Sequence, residues 1–179
     1  MNTVQQQQPI SDFDTTRAAD FEERYVKALN EGGMLQLVSL GHRCGLLNRL
    51  ADGEPVTSSE LAHRSKLDER YVREWLGGLT AAGVVEHDPD TMTYRLPAEY
   101  AAILSDQGDA NLAVFAQYLP LLGQVEDDVL DCFHHGGGVP YARYHRFHEV
   151  MAGESGPTGL PALFDAIRPL APECTQRRA

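Results

Sequence analysis

The 179-residue sequence predicts a mostly α protein: a winged helix-turn-helix with a small β-hairpin wing, plus additional helices. Three observations carry this. A capping box opens a pair of short amphipathic helices between 57 and 82, two short strand-like runs follow at 84–86 and 93–96, and helical periodicity resumes on both sides of that block.

From the N-terminus, 1–14 is polar and Gln-rich and is expected to be a disordered tail. It has neither a basic n-region nor an apolar h-region, so it does not read as a secretory signal. Thr15 or Thr16 is placed to cap a helix reaching about Asn30, with Phe21, Tyr25, Ala28 and Leu29 on one face and Gly32-Gly33 as its stop. A second helix is predicted over 34–51, where Met34, Leu37, Val38, Gly41, Cys44, Leu47 and Leu50 recur at steps of three and four. Asp52-Gly53 and Pro55 end it.

The central block is the most informative. In Thr57-Ser58-Ser59-Glu60 the Thr hydroxyl is placed to accept from the Glu60 backbone while the Glu side chain reaches back. Leu61 and Ala62 supply the buried face, and Ser65-Lys66-Leu67 makes the turn. Asp68 caps the next helix, whose Val72, Trp75, Leu76 and Leu79 share one face, and Gly83 supplies a left-handed stop. Val84-Val85-Glu86 and Thr93-Tyr94-Arg95-Leu96 are the wing strands around a turn at 87–91. Further on, helices are expected at 98–104, at 112–130 with a kink or break at Pro120, at 144–151 and at 160–167, with 134–141 as a loop. The expected domain division is a tail at 1–14, a winged-helix domain at 15–100, a helical, lid-like extension at 101–170 and a polar tail at 171–179.

Charge bears on function. The formal net charge is −11, and 5 basic face 8 acidic residues in 1–56, 5 face 7 in 57–96, and 5 face 11 from 97 onward. Nucleic-acid affinity comes chiefly from Lys and Arg neutralising phosphates, so no segment is a basic domain. The second helix of the motif offers Arg70 and Arg73 against Asp68, Glu69 and Glu74, and the wing offers Arg95 against Glu86, Asp88 and Asp90. The two arginines are expected to pair with Glu69 and Glu74, and the winged helix is expected to be a scaffold or interface rather than a DNA reader. A DNA-binding transcriptional regulator stays as an alternative.

Candidate chemistry is sparse. Gly136-Gly137-Gly138 follows a helical segment and precedes Val139-Pro140, so it reads as a connection rather than a phosphate cradle. His145 and His148 share a helix face and His134 and His135 are adjacent, but no HExxH and no zinc-type Cys/His spacing is present, so no metal site is assigned. Cys44, Cys132 and Cys174 are distant and odd in number, which fits a reducing cytoplasm, and Cys44 is expected in the core. No run of about 18 apolar residues exists to span a membrane. Phe115, Tyr118, Tyr141, Tyr144 and Phe147 form an aromatic set suited either to core packing or to a small hydrophobic ligand module.

The run Leu40-Gly41-His42-Arg43-Cys44-Gly45-Leu46-Leu47, the winged-helix block with Asp68-Glu69-Arg70-Tyr71-Val72-Arg73-Glu74-Trp75-Leu76, and the later Gly136-Gly137-Gly138-Val139-Pro140-Tyr141 and Phe147-His148-Glu149-Val150-Met151 resemble the N-terminal part of a family of class I S-adenosylmethionine-dependent methyltransferases. The resemblance covers about 21–170. In that family a winged-helix and helical part precedes a Rossmann-like catalytic domain, helps to dimerise the enzyme and covers the substrate. The resemblance implies that Phe115, Tyr118, Tyr141, Phe147 and Met151 face the substrate cleft. The family binds its methyl donor at an acidic residue followed by G-x-G-x-G, which this sequence lacks, and the chain stops near where the catalytic domain is expected to begin. The expectation is therefore a non-catalytic, truncated portion, with no cofactor and no catalytic residue of its own. Its partners would be a second copy or a catalytic domain, and its apolar stretches at 112–122 and 160–170 would meet water.

Overall fold

The computed structural model describes residues 13–108 and 111–162. Its first helix, α1 (Thr15–Arg43), is capped by Asp14, whose carboxylate accepts from the Thr16 and Arg17 amides. The expected stop at Gly32-Gly33 does not occur. An interior glycine costs a helix about 1 kcal/mol relative to alanine, and the buried face of Val38, Ser39 and Gly41 holds the later turns in register. The chain breaks instead at Gly45, which takes φ 69 and reverses into α2 (Leu46–Leu50).

The winged helix then follows as expected. Both bonds of the capping box form at the start of α3 (Ser58–Ser65): the Glu60 amide donates to Thr57 Oγ1 at 3.2 Å, and the Thr57 amide donates to Glu60 Oε2 at 3.0 Å. Lys66 makes the turn in the left-handed region, and Asp68 caps α4 (Glu69–Ala81). The wing pairs β1 (Glu86–Asp88) antiparallel with β2 (Thr93–Arg95) in the register Glu86 to Arg95 and His87 to Tyr94. Val84 and Val85, expected in the first strand, are instead buried just before it. Val56 adds an isolated bridge to Tyr94, so the hairpin is tied to the segment before α3.

One core unites these parts: Leu46, Leu47 and Leu50 of α2, Leu61 of α3, Val72, Trp75, Leu76 and Leu79 of α4, and Leu96 after the wing. The junction of α1 with α4 is close. The Trp75 indole N–H donates to the Leu37 carbonyl at 2.8 Å, and the ring lies so near Gly41 that a β-carbon there would come within 2.3 Å of it. Glycine at 41 is thus a packing requirement.

Beyond the wing, α5 (Ala98–Leu104) matches its expected span. Residues expected as one long helix divide into a 3-10 stretch (Leu112–Gln117), α6 (Tyr118–Gly123) and α7 (Glu126–His135). The break falls at Gln124-Val125, not at Pro120. Pro120 sits in the first turn of α6, where the missing amide hydrogen would have no intrahelical partner anyway. A short 3-10 turn (Tyr141–Arg143) leads to α8 (Phe147–Ala162), which is continuous where the sequence suggested two helices. Glycine propensity alone is a weak stop signal. The expected tails, apart from Phe13 and Asp14, lie outside the described residues, as do the side chains of the apolar stretch expected at 160–170.

Candidate functional site

Four surfaces are candidates. The first is the outer face of α4 with the wing, the face a DNA reader would use. Arg73 pairs with Glu69 at 3.1 Å, as expected, and Arg95 pairs across the hairpin with Glu86. Each cation is thus neutralised by a carboxylate of the same helix or of the facing strand. Arg70 is exposed, and no pairing with Glu74 forms.

The second surface is an open groove of about 500 Å³ between the end of α1 and the start of α4. Leu37, Leu40, Leu46, Leu67, Tyr71 and Trp75 line it. Cys44, expected in the core, lies at this groove and is exposed, because the turn at Gly45 carries the chain away from it. Earlier on the same helix, Phe21, Tyr25, Val26 and Leu29 of α1 are each about half exposed, and Phe21 stacks on Tyr25 with ring centroids 6.0 Å apart.

The third surface holds the five residues expected to face a substrate. The structure divides them. Phe115 and Tyr118 neighbour one another at 6.5 Å, and the Tyr118 hydroxyl donates to Glu154 at 2.6 Å. That hydrogen bond raises the Tyr118 pKa, since losing the phenolic proton would leave two anions in contact. Tyr141 and Phe147 form a separate edge-on pair at 5.6 Å, joined by Tyr144 and by His148, which stacks on Tyr141. Met151 is exposed on α8. Leu112, Phe115, Leu119 and Leu122 form the exposed edge expected of 112–122, while Ala113, Val114, Ala116 and Leu121 are buried on the other side.

The fourth is a polar cavity of about 470 Å³ lined by His42 and Arg43 of α1, Val114 and Gln117 of the 3-10 stretch, and Arg146, Glu149 and Gly153 at α8. Sequence reasoning missed it. Its only trace is that His42-Arg43 and Glu149 fall in runs already singled out, about a hundred residues apart. Arg146 takes a left-handed φ of 68 and is held by three hydrogen bonds to Glu149 and Gln117, 2.9–3.0 Å long. Burial pushes the His42 pKa down against the opposing pull of Asp106. Among the described residues no three His, Cys, Asp or Glu side chains cluster as metal ligands, and no helix is long and apolar enough to cross a membrane.

The geometry therefore defines a winged helix with an appended helical layer. Residues 32–106 match the family described as the Rv2258c-like winged HTH domain. No curated protein matches the chain. Among solved structures, the N,N-8-amino-8-demethyl-D-riboflavin dimethyltransferase RosA from Streptomyces davawensis shares the fold at TM-score 0.59 and 18% identity, over 86% of this chain and 48% of that one. The mitomycin 7-O-methyltransferase MmcR aligns at 0.53 and 19%, over 90% and 44%. Human N-acetylserotonin methyltransferase, solved with S-adenosylmethionine, aligns at 0.51 and 14%, over 82% and 44%. The chain spans less than half the length of each, and the likeness is one of fold. A strand leading into a glycine-rich turn is absent from the described residues, since Gly136-Gly137-Gly138 follow α7.

Proposed function

We propose that this chain is the association and substrate-covering portion of an S-adenosylmethionine-dependent methyltransferase, without catalytic or donor-binding residues of its own. One observation carries the reading. The family match stops at residue 106, but the fold likeness extends over 86% of the chain, so the helices after the wing come with it. The exposed apolar side chains of α1 from Phe21 to Leu29 and the apolar groove at Tyr71 support an association role, because exposed apolar surface marks interaction sites. Arg73 of α4 and Arg95 of the wing, each paired with a neighbouring carboxylate, argue against the regulator reading.

Titration calorimetry with S-adenosylmethionine, alongside light scattering, tests this. The expected result is no heat from the donor and a mass above that of a monomer at micromolar concentration. One-site donor binding overturns the non-catalytic half of the reading, and a monomer across the whole concentration range overturns the association half. Salt-dependent retention on DNA would restore the regulator.

The groove of about 500 Å³ favours a second reading, a small hydrophobic ligand module. A saturable rise in melting temperature with apolar aromatic compounds supports it, and flat melting across a panel counts against it.

A further inference from the structure

The cavity between α1 and α8 stands on this chain's own helices and does not depend on the methyltransferase reading. Its charge inventory is specific. Arg146 spends its Nε and Nη2 hydrogens on Glu149 and Gln117, which leaves Nη1 free. Arg43 makes no hydrogen bond or ion pair within reach among the described residues, although Glu149 feels its charge. His42 also makes no hydrogen bond there, and burial keeps its ring in the neutral form, able to donate or accept once. Glu149 cancels one of the two guanidinium charges, so the lining carries one net positive charge on a chain whose total is −11.

The backbone supports a purpose for Arg146. A side chain in the left-handed region costs roughly 1–2 kcal/mol relative to the right-handed one. Glycine or asparagine would take that position with less strain, yet arginine holds it, its guanidinium fixed by buried Gln117 below and Glu149 beside it. Strain held at a cavity wall is characteristic of binding sites. Gly153 completes the wall where α8 approaches Val114; a β-carbon there would lie 3.3 Å from the valine.

We propose that this cavity binds a small molecule bearing one carboxylate, seated between Arg43 and the free edge of Arg146, with His42 as a further hydrogen-bond partner. A planar carboxylate matches the guanidinium fork, and one negative charge balances the lining. A dianion would bring its second charge against Glu149. The volume, about 470 Å³, accommodates an aromatic or short aliphatic acid.

The test is titration of the full chain with formate, acetate and benzoate, with benzamide as the neutral counterpart and inorganic sulfate as the dianion. At least one carboxylate binds with one-to-one stoichiometry, and benzamide does not. Arg43→Gln, at an exposed position, keeps the melting temperature and weakens the carboxylate about tenfold or more, the loss of one charge-assisted contact. Arg146→Asn tolerates the left-handed backbone and loses binding as well. Silence from all three carboxylates, equal binding of benzamide and benzoate, or wild-type affinity in Arg43→Gln each overturns the proposal. Sulfate binding more tightly than every carboxylate overturns the assignment to a monoanion.

Discussion

The recognition-type helix α4 and the first half of α1 carry apolar residues at the same helical spacing, yet one stripe is covered and the other is not. Val72, Trp75, Leu76 and Leu79 of α4 are each 5% exposed or less, packed by α1 and α3. Phe21, Tyr25 and Leu29 of α1 are 55–59% exposed. A periodic stripe states that a face wants a partner. It does not state whether the partner is in the same chain. Here the central block satisfies itself, while α1 before Met34 and the edge of Leu112, Phe115, Leu119 and Leu122 present their stripes outward.

Substitutions sharpen the contrast. Leu76→Ala empties a fully enclosed site and should cost about 3 kcal/mol, read as a lower denaturation midpoint. A cost below about 1 kcal/mol would mean that the core is looser than its burial implies. Thr57→Ala removes the capping-box hydroxyl at the entrance to α3 and should cost about 1 kcal/mol. The same denaturation experiment measures it. On the open stripe, Phe21→Ser with Leu29→Ser should leave monomer stability within about 0.5 kcal/mol while weakening self-association by light scattering. Stability lost at high dilution would place that face inside the fold and break the comparison.

The smallest effect concerns acid. Asp106 accepts from Asn111 at 2.8 Å and from Asn48 at 2.7 Å, which ties α2 to the segment after α5. The bond from Asn111, aided by that from Asn48 and opposed by partial burial, holds its carboxyl below the usual value. A depressed carboxylate contributes its stability above the unfolded-state pKa and loses it as pH falls through the folded-state one. Asn111→Ala should therefore lower stability slightly at neutral pH and flatten the decline below about pH 4. An unchanged acid limb in a pH series of melts would show that Asn111 does not hold the carboxylate.

How far the sequence reached depended on whether a signal was local. The capping box at Thr57 and Glu60, the Asp68 cap, the left-handed Gly83 and the hairpin around 87–91 are all decided within a few residues, and each formed. The stop placed at Gly32-Gly33 failed because glycine is weak punctuation when the flanking turns are held by packing, and the kink or break placed at Pro120 failed because the proline falls in the first turn of α6, where its missing amide hydrogen costs no helical bond. Which aromatic side chains touch was not legible either: Phe115 meets Tyr118, and Tyr141 meets Phe147, contacts that residue type alone does not set.

By itself, then, the sequence determined the winged helix, its order of elements and the acidic character of its outer face. Those follow from caps, periodicity and charge, which act over one or two helical turns. Only the tertiary structure decided that α1 runs unbroken past its glycines, that Gly41 must be small because Trp75 lies against it, and that His42, Arg43 and Arg146 meet around one cavity. Each of these is a contact between residues far apart in the chain, and no local pattern encodes which distant side chain will stand opposite.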